Sequence, residues 1–129
     1  MILVDTDVLI AHLRGTTAAR DWLKLTRLQE PLAVSVVSIT ELTGGMRSAE
    51  RREVWGLLGS LHIEPVTEIV ARRAGELMRT YRKSHTRIGL GDYLIASTAE
   101  TRGLALATLN LRHFPMFPEL EAPFSTTPD

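Results

Sequence analysis

Three runs in this chain, Met1–Val4, Ala33–Val37 and Leu104–Leu109, are apolar on nearly every residue instead of every second one. A strand that is apolar on both sides offers no face to water, so its sheet must be covered by helices above and below. The intervening segments carry the complementary pattern. Val70, Ala74, Leu77, Met78 and Tyr81 recur at helical spacing and predict an amphipathic helix from Thr67 to about Lys83. Val54, Leu58 and Leu61 form a shorter stripe, in a helix that Ser48 opens and Gly59 ends. Two helices are expected after Asp5, the second from Thr17 to Leu28 with Ala18, Trp22 and Leu25 on one face. Another runs from Ser38 to Gly44, and another from Asp92 to Arg102, stopped by Gly103. His62–Glu64, closed by Pro65, is too short for a helix and reads as a strand. Strands alternating with helices predict one three-layer α/β/α domain over residues 1–129, built on a central parallel sheet. From about residue 115 an irregular tail containing Pro115, Pro118, Pro123 and Pro128 is expected to pack over the surface or fray.

A chain of 129 residues can bury a core without staples, and the absence of cysteine excludes disulfides, thiolate metal sites and cysteine nucleophiles. Fifteen basic and fifteen acidic residues cancel, which argues against a protein that coats nucleic acid by neutralising phosphates along its whole surface. The apolar start is interrupted by Asp5 and Asp7 and has no positive leader, so it does not read as a signal peptide. No stretch offers the ~20 apolar residues of a membrane span. The expected location is the cytoplasm, with no membrane partner.

Asp5 stands at the carboxyl end of the first strand, with Asp7 two residues on. Parallel sheets bind ligands beyond the carboxyl ends of their strands, near a reversal of strand order. Each acid also has a local reading. Asp5 can cap the helix that follows it. Glu41 completes a capping box with Ser38. Asp92 suits the first turn of its helix through the macrodipole. Local readings do not explain why Asp5, Glu41 and Asp92 all fall where one sheet edge would gather them. Three such carboxylates raise one another's pKa unless a counter-charge intervenes. A hard divalent cation with oxygen ligands supplies it, and an oxygen-only set disfavours structural zinc.

Ile2-Leu3-Val4-Asp5-Thr6-Asp7-Val8-Leu9-Ile10, Ser35-Val36-Val37-Ser38-Ile39-Thr40-Glu41-Leu42 and Gly91-Asp92-Tyr93-Leu94-Ile95-Ala96 resemble the three acidic motifs of PIN domains. The segment from Leu106 to Phe114 resembles that family's closing strand motif. Order and spacing are similar to those of VapC-like toxins of toxin–antitoxin pairs over essentially the whole chain. The resemblance implies a PIN-like fold and an endoribonuclease using Mg²⁺ or Mn²⁺. It also implies an antitoxin partner that blocks the site, and a homodimer. Carried over by position, Asp5, Glu41 and Asp92 are the metal-binding, catalytic acids. Where the family frequently has a fourth acid this chain has Asn110, which brings an amide oxygen but no charge. Asp7 can partly compensate. His113 reads as a residue filling a turn before Phe114.

Six of the fifteen Lys and Arg residues lie between Arg72 and Arg87, with Glu76 the single acid in that window. Arg82, Lys83 and Arg87 lead into the Asp92 helix and are expected to contact RNA phosphates; a solvated helix face is the alternative for the helical part. Two other functions fit parts of the sequence. A PIN-like module that binds RNA or protein without cutting is favoured only by Asn110. Val4-Asp5-Thr6-Asp7 resembles the nucleophile loop of haloacid-dehalogenase-like phosphatases. The later acid and the positioned lysine of that chemistry have no counterpart, since Lys24 and Lys83 are the only lysines.

Overall fold

The computed structural model describes residues 1–125. Four strands, β1 (Ile2–Val4), β2 (Leu32–Ser35), β3 (His62–Glu64) and β4 (Ala105–Ala107), form one sheet in the order β3-β2-β1-β4. Every pairing is parallel. Six helices surround it: α1 (Thr6–Leu13), α2 (Thr17–Arg27), α3 (Val36–Gly45), α4 (Arg51–Gly59), α5 (Glu68–Tyr81) and α6 (Leu90–Arg102). The expected three-layer α/β/α architecture is therefore the observed one.

Alternation along the strands builds two cores. Val4, Leu32 and Val34 face one cluster with Val8 and Leu9 of α1, Leu23 of α2, Leu42 of α3 and Val54 and Leu58 of α4. Leu3 and Ala33 face the other, with Ala74 and Leu77 of α5 and Tyr93, Ile95, Ala96 and Ala99 of α6. Both faces of β1 and β2 are thus covered, which is why these strands are apolar on consecutive residues. At the foot of α6, Gly103 takes a left-handed conformation (φ 66°) and ends the helix as expected.

Three local expectations are corrected. The inner face of α2 carries Ala19 and Leu23, with Trp22 partly buried, while Leu25 is 60 % exposed. One residue of phase, about 100° around the helix, separates the two stripes, and packing against α1 chose the one that buries Leu23. Ser38 does not open α3: Ser35 does, its hydroxyl accepting the Val37 amide at 3.0 Å. Ser48 begins a short 3-10 turn, Ser48–Glu50, and α4 itself starts at Arg51. The tail does not fray over its described part. Phe114 is buried in the second core, Met116, Phe117 and Leu120 pack beside it, and Phe124 crosses to Trp22 of the first, ring centroids 6.3 Å apart. Pro128 lies outside the described residues.

Candidate active site

From β1 the chain steps outward through β2 to β3, then returns to place β4 on the other flank of β1. The strand order reverses between β1 and β4, and an open α/β sheet admits ligands at the carboxyl ends of such a pair. Asp5 follows β1 at that point and is 5 % exposed. Its amide continues the ladder to the Ala107 carbonyl at 2.9 Å. Its Oδ1 accepts the Thr6 amide at 2.8 Å and its Oδ2 accepts the buried Thr108 hydroxyl at 2.7 Å. Asp5 is therefore the helix cap that local reasoning allows and, at once, the centre of an acidic crevice.

Asp7, in the first turn of α1, reaches the same loop. Its Oδ2 accepts the Leu109 amide at 3.0 Å and lies 3.3 Å from the Thr108 hydroxyl. Its Oδ1 is buried with no hydrogen-bond partner among the described residues. Glu41 comes from α3 and is exposed, but its Oε1 accepts the Thr6 hydroxyl at 2.7 Å. Thr6 has one proton, and a carboxylate only accepts, so the 2.8 Å bond between Thr6 and the fully buried Ser38 runs from Ser38 to Thr6. Ser38 thus props the Thr6–Glu41 contact and takes no part in a capping box. Asp92, in the first turn of α6, accepts the Gly89 amide through Oδ2 at 3.1 Å, and His113 Nδ1 lies 3.1 Å from the same oxygen. Gly91 lets the helices approach: a Cβ there would lie 3.3 Å from Val37 Cγ1 and 3.9 Å from both Glu41 carboxylate oxygens.

Burial, then the charge of Asp7 and more weakly that of Asp92, pushes the Asp5 carboxyl from 3.8 up to about 7, against the bonds from Thr108 and Thr6. Burial also raises Asp7, and the Leu109 amide and Thr108 hydroxyl oppose it. Ionising Asp5 and Asp7 is thus disfavoured by burial, beside two acids, Glu41 and Asp92, that water still reaches. Among the described residues no three His, Asp or Glu side chains are placed together so as to hold a metal ion. A hard divalent cation needs no such trio, since Mg²⁺ is held by one or two carboxylates and keeps several waters. Glu41, Asp92 and Asp7 each have one oxygen clamped by the protein, and the other has no hydrogen bond among the described residues. Raised, desolvated carboxyls beside open carboxylate oxygens fit such a cation, which supplies the missing charge and takes oxygen donors.

The other expected residues fall at the margin. Asn110 is exposed, and its backbone amide donates to Thr108 Oγ1 at 3.1 Å. Arg87 lines a groove that runs past His113, whereas Arg82 and Lys83 are exposed outside that groove. Sequence reasoning missed Thr6, Ser38 and Thr108, and gave His113 no place at the site. A hydroxyl just past an apolar run was the available signal for Thr108, but strand order, which brings it to Asp5, is not readable from one chain.

Residues 2–118 match the PIN domain family. Ribonuclease VapC10 of Mycobacterium tuberculosis (strain ATCC 25618 / H37Rv) is 67% identical over 125 residues, spanning 97% of this chain and 94% of that protein. Ribonuclease VapC19 of the same strain is 42% identical, spanning 96% of this chain and 100% of that protein. In three dimensions the fold is similar to a chain of a toxin-antitoxin complex from Klebsiella pneumoniae. The TM-score is 0.80 at 24% identity, covering 97% of this chain and 99% of the other. A match over residues 2–118 takes in both strands of the reversal and every acid of the crevice, and the chain belongs to the PIN domain family.

Proposed function

We propose that this protein is a metal-dependent endoribonuclease, the toxin of a toxin–antitoxin pair, that hydrolyses RNA phosphodiester bonds at the β1/β4 crevice. Asp5, Glu41 and Asp92 are the acids that hold Mg²⁺ or Mn²⁺, with Asp7 and Asn110 in subsidiary positions. The observation that carries the reading is Asp5: buried, raised to about 7, and crowded by Asp7 and Asp92. Two relatives named as ribonucleases and a structural neighbour described as a toxin-antitoxin complex support it.

The cation, when bound, lowers the pKa of water and stabilises charge on a phosphoryl oxygen. The protein's part is positioning. Thr108 and the Thr6 amide hold Asp5, the Thr6 hydroxyl holds Glu41, and the Gly89 amide and His113 hold Asp92. Fixed in this way, the oxygens left open need little reorganisation when substrate arrives, which is where such sites derive much of their rate. Arg87, with Arg82 and Lys83 farther out, contributes phosphate contacts that position the strand.

Purified protein should cleave RNA with Mg²⁺ or Mn²⁺ and stop in EDTA. It should leave p-nitrophenyl phosphate intact, which a phosphatase would turn over. Wild-type cleavage by Asp92→Asn in Mn²⁺ would overturn the site. RNA binding that neither metal converts into cleavage would favour an inert binding module. The antitoxin partner and the homodimer belong to the same reading. Co-expression with the adjacent short gene should restore growth and suppress the nuclease, and sedimentation equilibrium should give twice the chain mass.

A further inference from the structure

A groove of about 700 Å³ near the crevice runs between the loop after α5 and the turn after β4. Arg87 stands on the first wall and Arg112 on the second, with His85 and His113 beside them. None of its lining residues is an acid. In a chain with as many acids as bases, that is a local separation of charge. Five arginines, Arg20, Arg47, Arg72, Arg73 and Arg102, each pair with a glutamate, and the unpaired ones outside this groove do not face one another across a cavity free of acids. Arg87 and Arg112 have no ion pair among the described residues, although both are exposed and long enough to find one. Their guanidinium groups keep their donor forks free, the geometry that phosphate oxygens accept.

The groove also has a fixed relation to the acids. His113 forms part of its wall and touches Asp92 Oδ2 through Nδ1 at 3.1 Å, so the groove begins where the acidic crevice ends. Exposed Leu111 and the two imidazoles supply apolar and stacking surface between the cations. Single-stranded RNA is held by this combination of phosphate contacts and stacking platforms.

We propose that this groove is a binding subsite for the single-stranded RNA backbone on one side of the cleaved bond, with Arg87 and Arg112 gripping phosphates from opposite walls. The choice of RNA as occupant rests on the nuclease reading above; the basic groove itself does not. Arg112 enters only through the fold, since it lies outside the basic stretch between Arg72 and Arg87.

The test is binding of a fluorescein-labelled, mixed-sequence 12-nucleotide RNA to the full chain in EDTA, read by anisotropy over a range of salt. Arg87→Gln with Arg112→Gln should lower affinity at least tenfold at low salt. It should also flatten the salt slope by about 1.4, from roughly 0.7 per lost single-strand phosphate contact. Arg51→Gln with Arg52→Gln removes the same net charge from α4 and should change both far less. Equal losses in the two double variants would reduce the effect to overall charge and overturn the subsite. So would full RNA affinity in the groove variant, or a loss confined to antitoxin binding. Because the readout needs no metal, a wild type that binds RNA through this groove yet cleaves none would overturn the nuclease reading and leave the groove standing.

Discussion

The Thr108 hydroxyl donates to Asp5 Oδ2 across 2.7 Å, joining residues 103 positions apart in the chain. The contact exists because β4 pairs with β1 and not with β3, so the two strand ends meet in one crevice. The same hydroxyl accepts the Asn110 amide and lies near Asp7, so one buried threonine ties the closing loop to both acids of the first motif.

Thr108→Val keeps the shape and removes the donor. Cleavage or metal affinity should fall about 10–100-fold, the usual cost of losing a group that orients a ligand. Stability should fall by roughly 1–3 kcal/mol as the buried partners lose their bond. Thr108→Ser should restore most of both. Metal titration by calorimetry beside denaturant melts checks it; wild-type affinity in the valine variant would remove Thr108 from the site.

Asp5 sets a pH dependence of stability. The folded carboxyl is raised to about 7 from 3.8, so between these values the folded chain holds a proton that the unfolded chain has released. Stability of the metal-free protein should therefore fall as pH rises through this window, by at most ~4 kcal/mol for this group. Asp5→Asn should flatten that fall, abolish cleavage and raise Tm more at pH 8 than at pH 5. Thermal melts in EDTA decide it, and parallel pH profiles for the two proteins would refute the assignment.

Gly91→Ala places a methyl group 3.3 Å from Val37 and 3.9 Å from the Glu41 oxygens. Alanine's helix preference of about 0.5–1 kcal/mol offsets the crowding, so Tm should move little. Cleavage should fall on the order of threefold to tenfold as Glu41 is displaced, since small misplacements at a reacting centre are costly. Steady-state kinetics with a defined RNA would expose the split; unchanged kcat would mean α3 and α6 tolerate the methyl without moving Glu41.

Tyr93 is 1 % exposed and its hydroxyl has no hydrogen-bond partner among the described residues. An unpaired buried hydroxyl costs free energy, so Tyr93→Phe should be neutral or stabilising by up to about 1 kcal/mol. Urea denaturation with an unchanged m-value is the check. A loss above 1 kcal/mol would reveal a partner, such as a buried water.

Arg82→Glu with Lys83→Glu alters only exposed side chains beyond the groove, so stability should stay within about 0.5 kcal/mol. RNA affinity should weaken across sequences, because phosphate contacts position without reading bases. Single-turnover cleavage at saturating RNA should survive. Unchanged affinity would return these residues to an ordinary solvated surface.

The sequence by itself determined the fold class, most of the elements and the family. Runs of consecutive apolar residues required strands covered on both faces, and the period from Val70 to Tyr81 required α5, because burial of apolar surface leaves no other arrangement for such patterns. Asp5, Glu41 and Asp92 were legible as candidate acids on three separate elements, although Glu41 lies in the middle of α3 and not at its start, and four motifs in order carried the family. Local signals stopped short wherever two phases or two caps were equally good. Leu23 against Leu25 on α2, and Ser35 against Ser38 at α3, were decided by what lay across the interface. Only the tertiary structure placed Thr108 on Asp5, His113 on Asp92, Ser38 behind Thr6 and Arg112 across from Arg87. Each of these relations depends on strand order and on helices meeting at their ends. Neither is encoded in any one segment, because both follow from the simultaneous covering of two sheet faces by six helices.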